Sequence, residues 1–146
     1  MKQIEFYAEA YRQLAFVSAV LGGFSVAFLG VILVARDERR IAGWTIGLSI
    51  AASSAFIVAT FLDSFLVFTL QGIAARAPGE LPGRIVTVAG WSVVAFYVGV
   101  FSLLGSLGLA GWLRSWALGI ISTILASTAG LVVLLAAYQL GRALNG

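Results

Sequence analysis

The stretch LAFVSAVLGGFSVAFLGVILVA, from Leu14 to Ala35, runs for 22 residues without a charge and stops at Arg36-Asp37-Glu38-Arg39-Arg40. As an α-helix it would measure about 33 Å, enough to cross a hydrocarbon core of about 30 Å. Three further stretches of the same kind follow. Ile41 to Ala75 is interrupted only by Asp63. Ile85 to Leu113 comes after Ala77-Pro78-Gly79-Glu80-Leu81-Pro82-Gly83-Arg84, and the last stretch follows Arg114 and continues to about Gly141. Both prolines lie in the second of these breaks, so no stretch carries a proline kink. The pattern predicts an all-α polytopic membrane protein: one domain over 1–146, with four transmembrane helices in an up-down-up-down bundle. The spans are placed at about 12–35, 41–70, 85–112 and 115–140.

Composition leads to the same class. Hydrophobic residues make up 61% of the chain and charged residues 10%, with a mean hydropathy of +1.05. A water-solvated domain carries about a quarter of its residues charged. Lipid removes that requirement, because apolar side chains cost nothing against acyl tails. The aromatic residues mark two belts at headgroup depth. Trp44, Trp112 and Trp116 stand beside the first and third breaks, and Tyr7, Tyr11, Trp91 and Tyr138 near the opposite ends.

The first stretch reads as a signal anchor, not a cleaved leader: it is longer than an ordinary h-region, and Glu5 and Glu9 spoil a basic n-region. Ile4, Tyr7, Tyr11 and Leu14 share a face that extends this helix below the span, and helix two is also longer than a bilayer requires. Basic residues divide almost evenly between the two sides. Lys2, Arg12, Arg76, Arg84 and Arg142 face Arg36, Arg39, Arg40 and Arg114, and the balance leans towards an inside N-terminus.

The chain has no cysteine and no histidine, which removes the usual ligands of haem, copper and structural zinc and the commonest general base. No cofactor is expected. The net charge of +3 is spread without a basic run, so nucleic acid is not an expected partner. The acids are Glu5, Glu9, Asp37, Glu38, Asp63 and Glu80, and only Asp63 falls within an apolar run. No catalytic constellation is present in the sequence, and the expectation is a protein that is not an enzyme.

Asp63 is the residue with the strongest functional signal. A carboxylate at that depth must face protein or water, or be neutral. If helices one and two pair around the Asp37-Glu38 turn, position 63 lies opposite Gln13, which makes Arg12 the expected partner in an interfacial ion pair. A cation or proton site and an intersubunit contact are the alternatives. Small residues form a second signal. Gly43, Gly47, Ala51, Ala55 and Ala59 recur every four residues in helix two, as do Ala19, Gly23 and Ala27 in helix one, flanked by Gly22 and Gly30. Gly105 and Gly108 in helix three and Ala126 and Gly130 in helix four are of the same kind. In lipid, close backbone approach supplies the dispersion energy of helix association. Packing within the bundle is the first reading of these ridges; contacts between subunits or a pore lining are the others. The hydroxyls of Ser49, Ser53, Ser54, Thr60 and Ser64, and of Ser122, Thr123, Ser127 and Thr128, can each bond a preceding carbonyl of their own helix. Ser49–Val58 and Thr123–Val132 are loosely alike, as a duplicated hairpin would make them.

Ser18 through Gly23-Phe24-Ser25-Val26-Ala27 resembles the pore helix of the Orai calcium channels. Ser53–Ala59 resembles their second helix, and Ser122-Thr123-Ile124 through Gly130-Leu131 to Arg142-Ala143-Leu144 their fourth. The resemblance implies a ring-shaped homo-oligomer with the first helices around a central pore. The family's acidic selectivity residue is replaced here by Gly30-Val31-Ile32, its basic cluster is reduced to Arg12, and helix three has no counterpart. Calcium selectivity is therefore not implied; the walls of such a pore would be hydrophobic.

Together these readings predict a small homo-oligomeric channel of a bacterial inner membrane, lined by Ala19, Gly23, Ala27 and Gly30. The alternatives are a non-catalytic accessory or scaffold subunit of a larger membrane complex and a small proton-coupled transporter using Asp63. The expected partners are the lipid bilayer, further copies of the chain and other membrane subunits.

Overall fold

A computed structural model describes residues 2–34, 40–76 and 83–145. The Asp37-Glu38 turn and the Pro78–Pro82 loop lie outside these residues, as do the side chains of Lys2, Arg76, Arg84 and Arg142. The chain forms four helices: α1 (Lys2–Val34), α2 (Arg40–Arg76), α3 (Gly83–Arg114) and α4 (Trp116–Asn145). At 1.5 Å per residue they measure about 50, 55, 48 and 45 Å. All four are long and apolar enough to cross a membrane. Apolar side chains all round leave the backbone to satisfy its own hydrogen bonds, and an unbroken helix is the conformation that does so within one segment.

Packing follows chain order. Extensive contacts join α1 to α2, α2 to α3 and α3 to α4, and among the described residues no comparable contact joins α4 to α1. Individual residues mark where the helices meet. Along α2 and α3, Asp63 meets Ser92, Phe56 meets Gly99 and Leu48 meets Gly105. Along α3 and α4, Trp112 meets Gly119, Gly108 meets Ala126 and Phe101 meets Gly130.

α2 carries the centre of the molecule on one seam. Its most deeply buried residues are Ala42, Thr45, Ser49, Ala52, Phe56, Ala59, Asp63, Leu66 and Leu70, at alternating steps of three and four. That is the heptad spacing of a left-handed supercoil, in which neighbouring helices cross at about 20°. Most seam residues are small, so the neighbours approach closely. The large ones are Leu66 and Leu70 towards its C-terminal end and, at mid-helix, Phe56, fully buried, whose ring packs edge-on to Phe96 with centroids 6.1 Å apart. It fits because glycines face it from both sides: Gly22 of α1 and Gly99 of α3. Ala52 and Leu103 complete this cluster, with Leu21, Val100 and Leu107 packed around it.

α3 and α4 are separated by Ser115 alone. The Ser115 hydroxyl accepts a hydrogen bond from the Leu118 amide at 3.2 Å and so caps α4. The reversal is tight enough that Gly111 and Gly119 are both required. A Cβ on Gly111 would strike Ser122 Oγ and the Leu118 carbonyl, and one on Gly119 would strike the Trp112 ring. The indole of Trp112 donates to Thr123 Oγ1 at 3.0 Å, and Ser122 Oγ donates across the helix pair to the Gly108 carbonyl at 2.8 Å. Outside these contacts α4 is the least covered helix. It exposes Leu118, Ile121, Ile124, Leu125, Leu131 and Val132.

Candidate functional site

Asp63 sits in the α2 seam between a three-residue and a four-residue step, and it is fully buried. α3 brings Ser92 against it, and the Ser92 hydroxyl donates to Asp63 Oδ1. Ser92 is itself fully buried. From α1, Tyr11 lies within Coulombic reach of the carboxyl group. The other carboxyl oxygen, Oδ2, has no hydrogen-bond partner among the described residues. The same is true of the hydroxyl of Ser18 in α1, which is also fully buried.

The ion pair expected between Arg12 and Asp63 is not formed. Arg12 turns outward and pairs instead with Glu9, three residues back, at 3.2 Å, with both side chains more than half exposed. The reason is angular. α1 presents Tyr11 to α2, and the next residue along a helix is rotated by about 100°. A hairpin turn sets the height at which two helices meet, but a single step of rotation decides which side chain faces the acid. Opposite charge, the rule that points from Asp63 to Arg12, does not point to a neutral donor such as Ser92. The signal was present: Ser92 is the only Ser or Thr between Val88 and Phe101.

The small-residue ridges have a different place from the first reading. Ala19, Gly23, Ala27 and Gly30 of α1 face outward, as do Gly43, Gly47 and Ala51 of α2; Ala55 is half-buried and only Ala59 reaches the seam. A Cβ added at Gly23, Gly30, Gly43 or Gly47 would meet nothing within 4 Å among the described residues. Packing within the chain therefore does not account for them. A ridge of spacing four rotates by about 40° per step, so it crosses a seam of period 3.5 once and leaves it again. In α3 and α4 the small residues do pack within the chain: a Cβ on Gly108 would lie 3.4 Å from that of Ala126, and one on Gly105 would lie 3.2 Å from Leu48 Cδ1.

The hydroxyls are mostly self-satisfied. Thr45, Ser49, Ser53, Thr60 and Ser25 each donate to the carbonyl four residues earlier, at 2.8 to 2.9 Å. Together with Ala19, Gly22 and Gly23, the orphan Ser18 borders an open groove of about 500 Å³ between α1 and α2, whose α2 side carries Ile57, Thr60, Phe61 and Ser64. A second groove of about 530 Å³ lies between α3 and α4, with Gly105, Gly108 and Gly130 in its lining.

The buried carboxyl group and the outward glycines are thus separate features of one helix pair, and neither has a known counterpart to interpret it by: comparison with protein families, with curated proteins and with solved structures finds no match to this chain.

Proposed function

We propose that the chain is an integral membrane protein crossing the bilayer four times in up-down-up-down order, and that copies of it associate into a channel or pore. One observation carries this reading: the small-residue stripes of α1 and α2 point away from the chain that bears them, with open space at Gly23, Gly30, Gly43 and Gly47. Glycine in a membrane helix costs backbone entropy and contributes no side chain to packing. Facing lipid it contributes nothing; facing another helix it permits the close approach that holds membrane helices together. The exposed apolar surface of α1, including Phe16, Val20, Phe24 and Val31, has the same requirement for a covering of lipid or protein. The membrane is taken to be a bacterial inner membrane. In this reading Ala19, Gly23, Ala27 and Gly30 line the axis, the arrangement that the Orai resemblance implies, with uncharged walls that would gate by dewetting.

The open space makes the test clean. Leucine at Gly23 or Gly47 has room in the isolated chain, so it leaves the helices of one copy undisturbed. In detergent the wild type should run as a monodisperse oligomer with a central axis visible by single-particle imaging, and Gly23→Leu should disperse it. A wild-type chain that is monomeric by light scattering under all mild conditions would end the proposal and favour an accessory subunit.

A further inference from the structure

We propose that Asp63 is an intramembrane proton-binding site, whose free oxygen Oδ2 takes up and releases a proton inside the helix seam. The inference does not depend on the channel reading, since every group it uses belongs to one copy. A buried carboxylate requires either a cation beside it or hydrogen bonds to both oxygens. Among the described residues Asp63 has one donor, Ser92, on Oδ1, and nothing on Oδ2.

The groups that could neutralise it can be named helix by helix. From α1 the Tyr11 phenol is within electrostatic range, while Arg12 is turned out and held by Glu9. α3 carries no charge between Ile85 and Leu113, and Arg84 stands eight residues from Ser92, about 12 Å along the axis. α2 carries no other charge between Ile41 and Ala75. A metal ion would need several oxygen ligands, six or more for calcium. Asp63 belongs to no group of three or more acidic residues among the described ones. A proton needs only the free oxygen.

The second orphan lies close by. Gly22 meets Phe56, and Tyr11 reaches Asp63, so α1 and α2 run in opposite senses. Ser18 is four residues before Gly22 and Asp63 seven after Phe56, which puts the two unpartnered groups about one helical turn apart in height. Ser18 borders the α1–α2 groove with Thr60 and Ser64, the latter adjacent to Asp63 in sequence. The groove comes within about a turn of the acid along the helix axes. The step is simple: a proton from water forms the Oδ2–H bond, the side chain passes from one negative charge to none, and release reverses it. Ser18 stands where a hydroxyl can pass the proton on.

The experiment is infrared difference spectroscopy of the full chain in liposomes, between acidic and alkaline buffer, with sodium fixed. The wild type should show the carbonyl stretch of a protonated carboxylic acid, exchanged for carboxylate bands on the alkaline side. Asp63→Asn should lose that band while keeping its helix content, and should release about one proton fewer per chain across the same range. Ser92→Ala should keep the band but move its frequency, because the hydrogen bond to Oδ1 is gone. Identical wild-type and Asp63→Asn spectra would overturn the proposal, as would a band set by sodium at constant pH, which would mark a metal site. If Asp63→Asn does not fold, a Ser92→Ala spectrum with no shift overturns it instead.

Discussion

Phe56 and Gly99 fit as a knob and its hole: a Cβ placed on Gly99 would lie 2.8 Å from Cε1 of the Phe56 ring. Side chains do not approach that closely, so α3 can sit at its present distance from α2 only with glycine there. Gly99→Ala should force the pair apart and cost about 1–3 kcal/mol. Gly90→Ala, on the same helix but with nothing within 4 Å, should be neutral or slightly stabilising. Thermal or denaturant unfolding in one detergent, read by near-ultraviolet circular dichroism, compares the two. Equal stabilities would show that the helices are not packed at this register.

Ser92, which meets the buried acid, and Arg12, which does not, differ in consequence. Ser92→Ala removes the one donor that Asp63 has, and leaving a buried acceptor unmade costs about 1–3 kcal/mol. Arg12→Ala removes a surface pair with Glu9, for which about 0–1 kcal/mol is usual. The order of these two effects is the prediction. Arg12→Ala proving the more damaging would restore the ion pair with Asp63.

At the α3–α4 reversal, Gly111→Ala should be among the most damaging single-methyl additions in the chain. Its Cβ would meet the backbone carbonyl of Leu118 as well as Ser122 Oγ, and backbone cannot step aside as a side-chain tip can. A loss of about 3 kcal/mol or more is expected, with α4 the first element to exchange its amide hydrogens. Retained protection throughout α4 would contradict this.

Self-association gives the fourth prediction. Gly23→Leu and Gly47→Leu should each leave the unfolding midpoint of the dissociated chain within about 0.5 kcal/mol of wild type, as ordinary surface changes do. Each should lower the oligomer fraction measured by light scattering or cross-linking. Leu125→Gly on the exposed face of α4 serves as the control and should leave that fraction unaltered. Oligomers that survive both leucines would place the contact elsewhere.

The four helices were legible because the signal for them is long and additive. Charge-free runs such as Leu14–Ala35, closed by clusters such as Arg36–Arg40, need no knowledge of neighbours. The seam was less legible. Ala42, Thr45, Ser49 and Ala52 follow the three-four rhythm, but the eye is drawn to the glycines at 43 and 47, which lie one residue beyond the buried 42 and two beyond the buried 45. In a water-soluble helix apolar side chains would have marked the buried face. Here every face is apolar, and so polarity carries no information about which face is inside.

Residue chemistry alone required a helical, lipid-compatible chain and singled out Asp63 as the one acid within an apolar run, since charge and hydropathy are properties each residue carries with it. Which side chain meets that acid, and whether a glycine stripe faces inward or out, followed only from how the helices turn about their axes. A rotation of about 100° separates Tyr11 from Arg12. Such an angle is set by the sum of contacts along a whole seam, Phe56 against Gly22 and Gly99 foremost, and no single residue encodes it.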